Sequence, residues 1–250
     1  MDPTGRFTDR ANAYVLGRPG YPPAAIDALL AGLGEAGEVV VADLGAGTGI
    51  SARLLAERGA EVLAIEPNAA MRAKADPHPR VRWIAASAER TGLGEASVDL
   101  VTAFQAWHWF EHRAALDEVV RIVRPGGRAA VVYNERDERD PFTTAYGDLV
   151  RRFQTDESER RRADALEGFT RFEGWHGGPR RLEWPNDHVL DRAGLAARAG
   201  STSYLPQRGP EGEALYAELE RLFEAHARDG RVALVMRTIV VCGDLGADGG

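Results

Sequence analysis

The stretch VVVADLGAGTGISARLLAERG, residues 39–59, constrains the fold more than any other part of the chain. Val39–Leu44 is an aliphatic run interrupted only by Asp43, the composition of a strand covered on both faces. Ile50–Arg58 has the spacing of the helix that follows, with Leu54 and Leu55 one turn from Ile50 and Ser51. Between them stand three glycines in five positions, Gly45, Gly47 and Gly49, so the main chain is left uncovered by side chains. A strand that turns this tightly into a helix opens a βαβ unit, and the turn then lies at the carboxyl edge of a parallel sheet.

The unit repeats downstream. Short apolar runs at Glu61–Pro67, Val81–Ser87, Ser97–Ala106 and Gly127–Asn134 predict four more strands, with a helix near Ala69–Ala75. The run AALDEVVRIVRPGG predicts an amphipathic helix with Leu116, Val119, Val120 and Val123 on one face, stopped by Pro125-Gly126-Gly127. After Asn134 the pattern changes to a charged loop and an arginine-rich helical segment. RRLEWPNDHVL then predicts a strand broken at Pro185, and GEALYAELERLFEAH a helix with Leu215, Leu219 and Leu222 aligned. ALVMRTIVVCGDL is β-branched enough for a last strand. The expected fold is α/β: a Rossmann-like doubly wound sheet, mostly parallel with an antiparallel last strand, helices on both faces, and a helical insertion after the fifth strand.

Charge narrows the partners. With 31 basic and 38 acidic side chains the formal net charge is −7, which gives a nucleic-acid partner no global electrostatic support. Cys242 is the single cysteine, so neither an internal disulfide nor a thiolate metal site can form. The histidines, His78, His112, His176, His188 and His226 besides His108, show no metal-ligand spacing, and no metal is expected. The first 23 residues lack a basic segment followed by an apolar core, and a cytoplasmic monomer or homodimer without a membrane partner is the expectation.

The ligand of the glycine turn follows from spacing. Exposed main-chain N–H groups at a helix start attract negative charge, as on a carboxylate or nucleoside ligand. The dinucleotide pattern G-x-G-x-x-G would need glycine at position 50, where Ile50 stands. Glu66 ends the second strand 66 − 45 = 21 residues after Gly45, where a carboxylate accepts the hydroxyls of an adenosine ribose. A ribose is expected beside Gly47, and a pyrophosphate is not required.

The motifs DLGAGTG, IEPNAAM, ASAERTGLGEASVDLVTAFQAWHWF and RIVRPGGRAAVV, in this order and spacing, resemble the class I S-adenosylmethionine-dependent methyltransferases. More narrowly they are similar to the small-molecule branch that includes trans-aconitate and quinone-biosynthesis methyltransferases. The resemblance covers Tyr14 to Asn134 and implies S-adenosyl-L-methionine as cofactor and a small-molecule acceptor. It also implies a division of the chain: a cofactor-covering arm and first helix over 1–37, a cofactor-binding core over 38–134, a helical substrate cap over 135–180, the rest of the sheet with C-terminal helices over 181–245, and a tail over 246–250.

By the same resemblance, Asp43 and the turn Gly45-Ala46-Gly47-Thr48-Gly49 hold the methionine part. Glu66 holds the ribose, and Pro67, Asn68 and Met71 flank the adenine. Ser87, Ala88 and Glu89 lie near the adenine edge, Gln105–Trp109 face the sulfonium, and Tyr14 and Arg18 cover the cofactor. The acceptor pocket is expected among Trp107, His108, Trp109, Tyr133 and Trp175. At least one of the two indoles after the fourth strand is expected to seal the core. His108 is the candidate general base, because its ordinary pKa lies near neutrality. Two other readings of the same residues stay open: a non-catalytic protein that binds S-adenosylmethionine or its demethylated product, and a nicotinamide-dependent oxidoreductase.

Overall fold

A computed structural model describes residues 20–35, 37–202 and 204–246. Its strands are β1 (Val40–Leu44), β2 (Glu61–Ile65), β3 (Val81–Ile84), β4 (Val98–Phe104), β5 (Val123–Arg136), β6 (Trp175–Pro185), β7 (His188–Leu190), β8 (Val232–Leu234) and β9 (Met236–Leu245). The helices are α1 (Pro23–Leu30), α2 (Ile50–Ala56), α3 (Ala69–Arg72), α4 (His112–Ile122), α5 (Pro141–Phe153), α6 (Ser158–Thr170), α7 (Arg192–Gly200) and α8 (Gly209–His226). Seven strands form one sheet in the order β3-β2-β1-β4-β5-β9-β6, mostly parallel with one antiparallel strand. The order reverses between β1 and β4, which leaves a crevice at their carboxyl ends.

The chain divides into two units. One contains Tyr21–Tyr133, Glu159–Trp184 and the chain from Ile239 on. Alternate strand residues there supply two cores, as a sheet covered on both faces requires. Ala42 and Leu44 of β1, Ala129 and Val131 of β5, and Ile239 and Val241 of β9 pack with Val119 and Ile122 of α4 and Phe169 of α6. The opposite parity, Val41, Ala130, Val132, Val240 and Cys242, packs with Ile26 and Leu29 of α1 and Leu55 of α2. The other unit contains Asn134–Ser158 and Pro185–Thr238. Its core joins Phe142, Tyr146 and Leu149 of α5, Leu195 of α7, and Leu215, Leu219 and Phe223 of α8. The two-stranded β7-β8 ladder is antiparallel. Among the described residues no helix is long and apolar enough to cross a membrane.

The fold departs from two local expectations. The helix before β5 ends at Ile122, and Pro125-Gly126-Gly127 belongs to the strand rather than stopping the helix. There the pairing slips from Val98↔Val123 to Leu100↔Arg128, a bulge opposite Asp99. A Cβ on Gly127 would stand 2.7 Å from Val123 Cγ1 and 2.8 Å from the Asp99 carbonyl oxygen, so glycine answers both to its own strand's bulge and to the neighbouring strand. The buried face of α4 is Ala115, Glu118, Val119 and Ile122, whereas Val120 is 50% exposed. Glu118 is tolerated inside because its carboxylate accepts the Thr91 N–H at 2.8 Å and the Thr91 hydroxyl at 2.5 Å, and pairs with Arg121. The Arg121 hydrogen bond, followed by the two from Thr91, brings its carboxyl down to about 2 against the cost of burial.

Candidate active site

The carboxyl ends of β1, β2, β4 and β5 bring the candidate residues together within the first unit. Gly45 has φ +67° in the left-handed region, and a Cβ there would stand 2.7 Å from the Ala106 Cβ and 3.2 Å from Phe110. Its missing side chain is what lets the segment after β4 settle onto the turn. The Gly47 N–H donates to Glu66 Oε2 at 3.0 Å, and the Asn68 N–H donates to Glu66 Oε1 at 2.8 Å. Both oxygens of a carboxylate at the tip of β2 are thus tied to main chain, one of them in the glycine turn. Burial raises the Glu66 pKa, opposed by these two N–H groups and then by Arg72.

Around this pair the other turn residues are accounted for. Asn68 caps α3, its Oδ1 accepting the N–H groups of Ala70 at 2.9 Å and Met71 at 3.3 Å. Pro67 is exposed, and Met71 is buried with its Cε 3.4 Å from where a Gly47 Cβ would lie. The Ala46 N–H donates to the Ile65 carbonyl at 3.0 Å. Thr48 is buried, and its hydroxyl has no hydrogen-bond partner among the described residues. An unanswered buried hydroxyl costs about 1–3 kcal/mol, so the turn holds a polar group suited to an incoming ligand. A carboxylate, bare main chain and an orphaned hydroxyl at a sheet's switch point fit a nucleoside carrying polar and charged groups.

Asp43 occupies a different place from an open ligand contact. It is fully buried, Oδ2 accepting the Ser51 hydroxyl at 2.6 Å and Oδ1 the Thr102 hydroxyl at 2.8 Å. Thr102 stands opposite it in the β1-β4 register. Asp43 therefore ties β1, the first turn of α2 and β4 together beneath the glycine turn.

Beyond β4 the chain enters strain and then aromatics. Gln105 sits at φ +55°, a conformation that costs a non-glycine residue about 1–3 kcal/mol. Its N–H donates to the Val132 carbonyl at 2.8 Å, which pins the strained residue to β5. Trp107–Trp109 form one 3₁₀ turn whose side chains diverge. Trp107 is 1% exposed, edge-on to Phe110 and Phe169 and stacked on His112, so of the two indoles it is the one that seals the core. His108 and Trp109 are half-buried with ring centroids 4.6 Å apart. Tyr133 is fully buried; its hydroxyl meets the His108 backbone N–H and ring Nδ1, both at 3.2 Å.

The remaining candidates are engaged in packing and hydrogen bonds of their own. Trp175 donates its indole N–H to the Phe169 carbonyl at 3.1 Å and packs edge-on to Phe169 and Phe172. Ala88 is in the core, Ser87 forms an isolated bridge with Arg90, and Glu89 accepts the Glu111 N–H at 2.9 Å. Tyr14 and Arg18 lie outside the described residues.

Comparison with known proteins agrees with this geometry. The family profile described as a methyltransferase domain matches residues 42–131. An uncharacterized methyltransferase of Mycobacterium bovis is 38% identical over 202 residues, 79% of this chain and 76% of the relative. The chain belongs to the class I S-adenosylmethionine-dependent methyltransferases. A demethylmenaquinone methyltransferase of Beutenbergia cavernae is 32% identical to this methyltransferase over 164 residues, 62% of this chain and 67% of the relative. A solved structure from Anaeromyxobacter dehalogenans, proposed to be a type II methyltransferase, has 27% identity and a TM-score of 0.70, covering 92% of this chain and 99% of that one.

In this methyltransferase the partners that sequence reasoning passed over are Ser51, Thr102 and Phe110. A lone hydroxyl inside the apolar run LVTAF was the available signal for Thr102. The setting of Asp43 makes stability depend on pH. Burial lifts its carboxyl to about 6, against the opposing Ser51 and Thr102 hydrogen bonds. Between about pH 4 and 6 the folded protein then holds a proton that the unfolded chain releases, so Asp43 makes stability fall as pH rises through that window. The fall is on the order of 3 kcal/mol. Asp43→Asn is expected to lack it. Urea unfolding of the two proteins at pH 4 and pH 7 checks this: wild type loses stability relative to the variant on going to pH 7.

Proposed function

We propose that this chain transfers a methyl group from S-adenosylmethionine to a small-molecule acceptor with a nucleophilic oxygen, nitrogen or carbon. The observation that carries the reading is the Glu66 carboxylate bonded to Gly47 in the glycine turn, next to the Thr48 hydroxyl that no described residue answers. The residues proposed to hold the cofactor are Glu66 for the ribose, the turn Gly45–Gly49 for the methionine part, and Asn68 and Met71 beside the adenine. When bound, S-adenosylmethionine supplies a methyl group on a positively charged sulfur, open to in-line displacement. The chain's part is alignment, worth up to roughly 7–11 kcal/mol when donor and nucleophile are held at attack distance. His108 is proposed to take the acceptor's proton where the acceptor carries one, and Trp109 to wall the pocket. Acceptor choice is assigned to α6, whose Arg162 guanidinium lies 6.0 Å from the Tyr133 ring centroid. The formal charge of −7 supports a small acceptor over a nucleic acid.

Calorimetry with S-adenosylmethionine, its demethylated product and NAD tests the cofactor, and mass spectrometry of an acceptor panel for a gain of one methyl tests the reaction. Binding of NAD alone overturns the reading. Glu66→Ala is expected to weaken cofactor binding on the order of 10²- to 10⁴-fold, the worth of charge-assisted hydrogen bonds to two ribose hydroxyls. Glu66→Gln is expected to recover part of that loss. Unchanged affinity in Glu66→Ala would displace the site from this edge of the sheet.

A further inference from the structure

Gln105 holds a backbone conformation that a residue with a side chain disfavours, and the segment it begins carries His108 and Trp109. β4 ends at Phe104, opposite Val132 of β5, and the Gln105 N–H still donates to the Val132 carbonyl at 2.8 Å. Immediately after that hydrogen bond the chain leaves the sheet, because φ of Gln105 is +55°, in the left-handed region. Among the described residues, only Ala96 and Asp229 share this sign without being glycine. Both are exposed turn residues, whereas Gln105 is half-buried at the carboxyl edge of the sheet. Strain in such a place persists only where the surroundings over-determine it.

The surroundings do so on both sides of β4. On the β5 side the Val132 carbonyl fixes the Gln105 N–H. On the β1 side Ala106 and Phe110 lie so close to Gly45 that a Cβ there would stand 2.7 Å from the Ala106 Cβ and 3.2 Å from the Phe110 ring. Within one residue the chain therefore passes from a bond with β5 to a seat on the glycine turn beyond β1. Trp107, 1% exposed, then anchors the 3₁₀ turn in the core, and His108 and Trp109 are left half-buried. Resting on the reading of His108 and Trp109 as the acceptor side of the site, we propose that Gln105 is a positioning residue that acts through its main chain. Its left-handed turn sets Ala106 on Gly45 and so holds the His108–Trp109 turn against the cofactor's edge of the sheet. A negative φ at this position would lift Ala106 from Gly45 and carry both rings away with it. The contribution lies in the shape of the backbone, so it survives loss of the side chain and is lost with a side chain that cannot take that shape.

The test compares substitutions that separate backbone shape from side chain. Gln105→Gly removes the side chain and takes the left-handed turn without strain. It is expected to keep kcat within about twofold of wild type and to unfold at no lower urea concentration. Gln105→Val is β-branched and tolerates that φ least. It is expected to lower kcat at saturating cofactor by about 100-fold, the cost of an ångström-scale misplacement. Gln105→Thr, also β-branched but polar, makes the same change should the valine variant fail to fold. The structural readout is the nuclear Overhauser contact between the Ala106 methyl and the Gly45 α-protons, expected in wild type and Gln105→Gly and weakened in the β-branched variants. Wild-type kcat in a β-branched variant, or no such contact in wild type, overturns the proposal. A loss in Gln105→Gly as large as in Gln105→Val also overturns it, by placing the role in the side chain. The NMR contact needs no turnover, so its failure is separable from a failure to bind S-adenosylmethionine in calorimetry, which would instead overturn the functional reading.

Discussion

Replacing His108 by alanine is expected to lower kcat on the order of 10²- to 10⁴-fold for an acceptor that carries a proton, the range in which a positioned general base acts. Cofactor affinity is expected to stay within about twofold, because an interaction made only on the way to the transition state leaves ground-state binding alone. The size of the expected loss follows from what the neighbouring acids already do. Asp43 has both oxygens on hydroxyls deep under the turn, Glu66 has both on main-chain N–H groups, and Glu89 accepts the Glu111 N–H. Those carboxylates are engaged in structural hydrogen bonds, Asp43 and Glu66 in buried positions, whereas the imidazole of His108 stands half-buried at the carboxyl edge. The deficit is expected to narrow as pH rises toward the acceptor's own ionisation, since an ionised acceptor needs no base. Steady-state kinetics across pH, with calorimetry on the same variant, check both points. A loss equal at every pH, or one that appears entirely as weaker cofactor binding, removes His108 from the proton path.

How much of this was legible in the sequence depended on whether the deciding neighbour was local. The five strands from β1 to β5 announced themselves because a strand in such a sheet is written as a short, mostly apolar run, and the glycine turn announced itself because only bare main chain suits that bend. The start of β5 did not, since Pro125-Gly126-Gly127 carries the chemistry of a helix stop. Part of the reason for Gly127 is the Asp99 carbonyl, 28 residues earlier and on another strand, beside Val123 and Arg124 of its own strand. The burial of Glu118 is only half legible: Arg121 lies one turn on, but Thr91, which supplies its other hydrogen bonds, lies 27 positions away. The double contact of Tyr133 with His108 spans 25 positions and belongs to two strands' ends, so no periodicity could reveal it. Asp43 was legible as an acid at a strand tip, but not as a buried one. Its burial comes from a β1-β4 register that places Thr102 opposite it.

The same limit applies to Trp107 and Trp109, which composition cannot tell apart and the 3₁₀ turn separates. At three residues per turn, successive side chains point about a third of a circle apart. One indole therefore turns into the core while its neighbour but one remains half-buried. Trp107→Ala is expected to destabilise the fold by about 3–5 kcal/mol, the usual cost of removing a large aromatic from a packed interior. Phe110 and Phe169 stand edge-on to the Trp107 indole at 5.5 and 5.0 Å, and His112 stacks on it at 6.0 Å and 3°, so all three rings would face the void it leaves. Because Phe169 belongs to α6, the cavity would also loosen that helix from the turn carrying His108, and a fall in kcat should accompany the loss of stability. Trp109→Ala, on a half-buried side chain, is expected to cost no more than about 1 kcal/mol of stability and to act chiefly on the KM of the acceptor. Urea unfolding of both variants, set beside their kinetics, separates the two roles. If Trp107→Ala unfolds at the wild-type denaturant concentration yet loses acceptor binding, Trp107 lines the pocket and the core assignment fails.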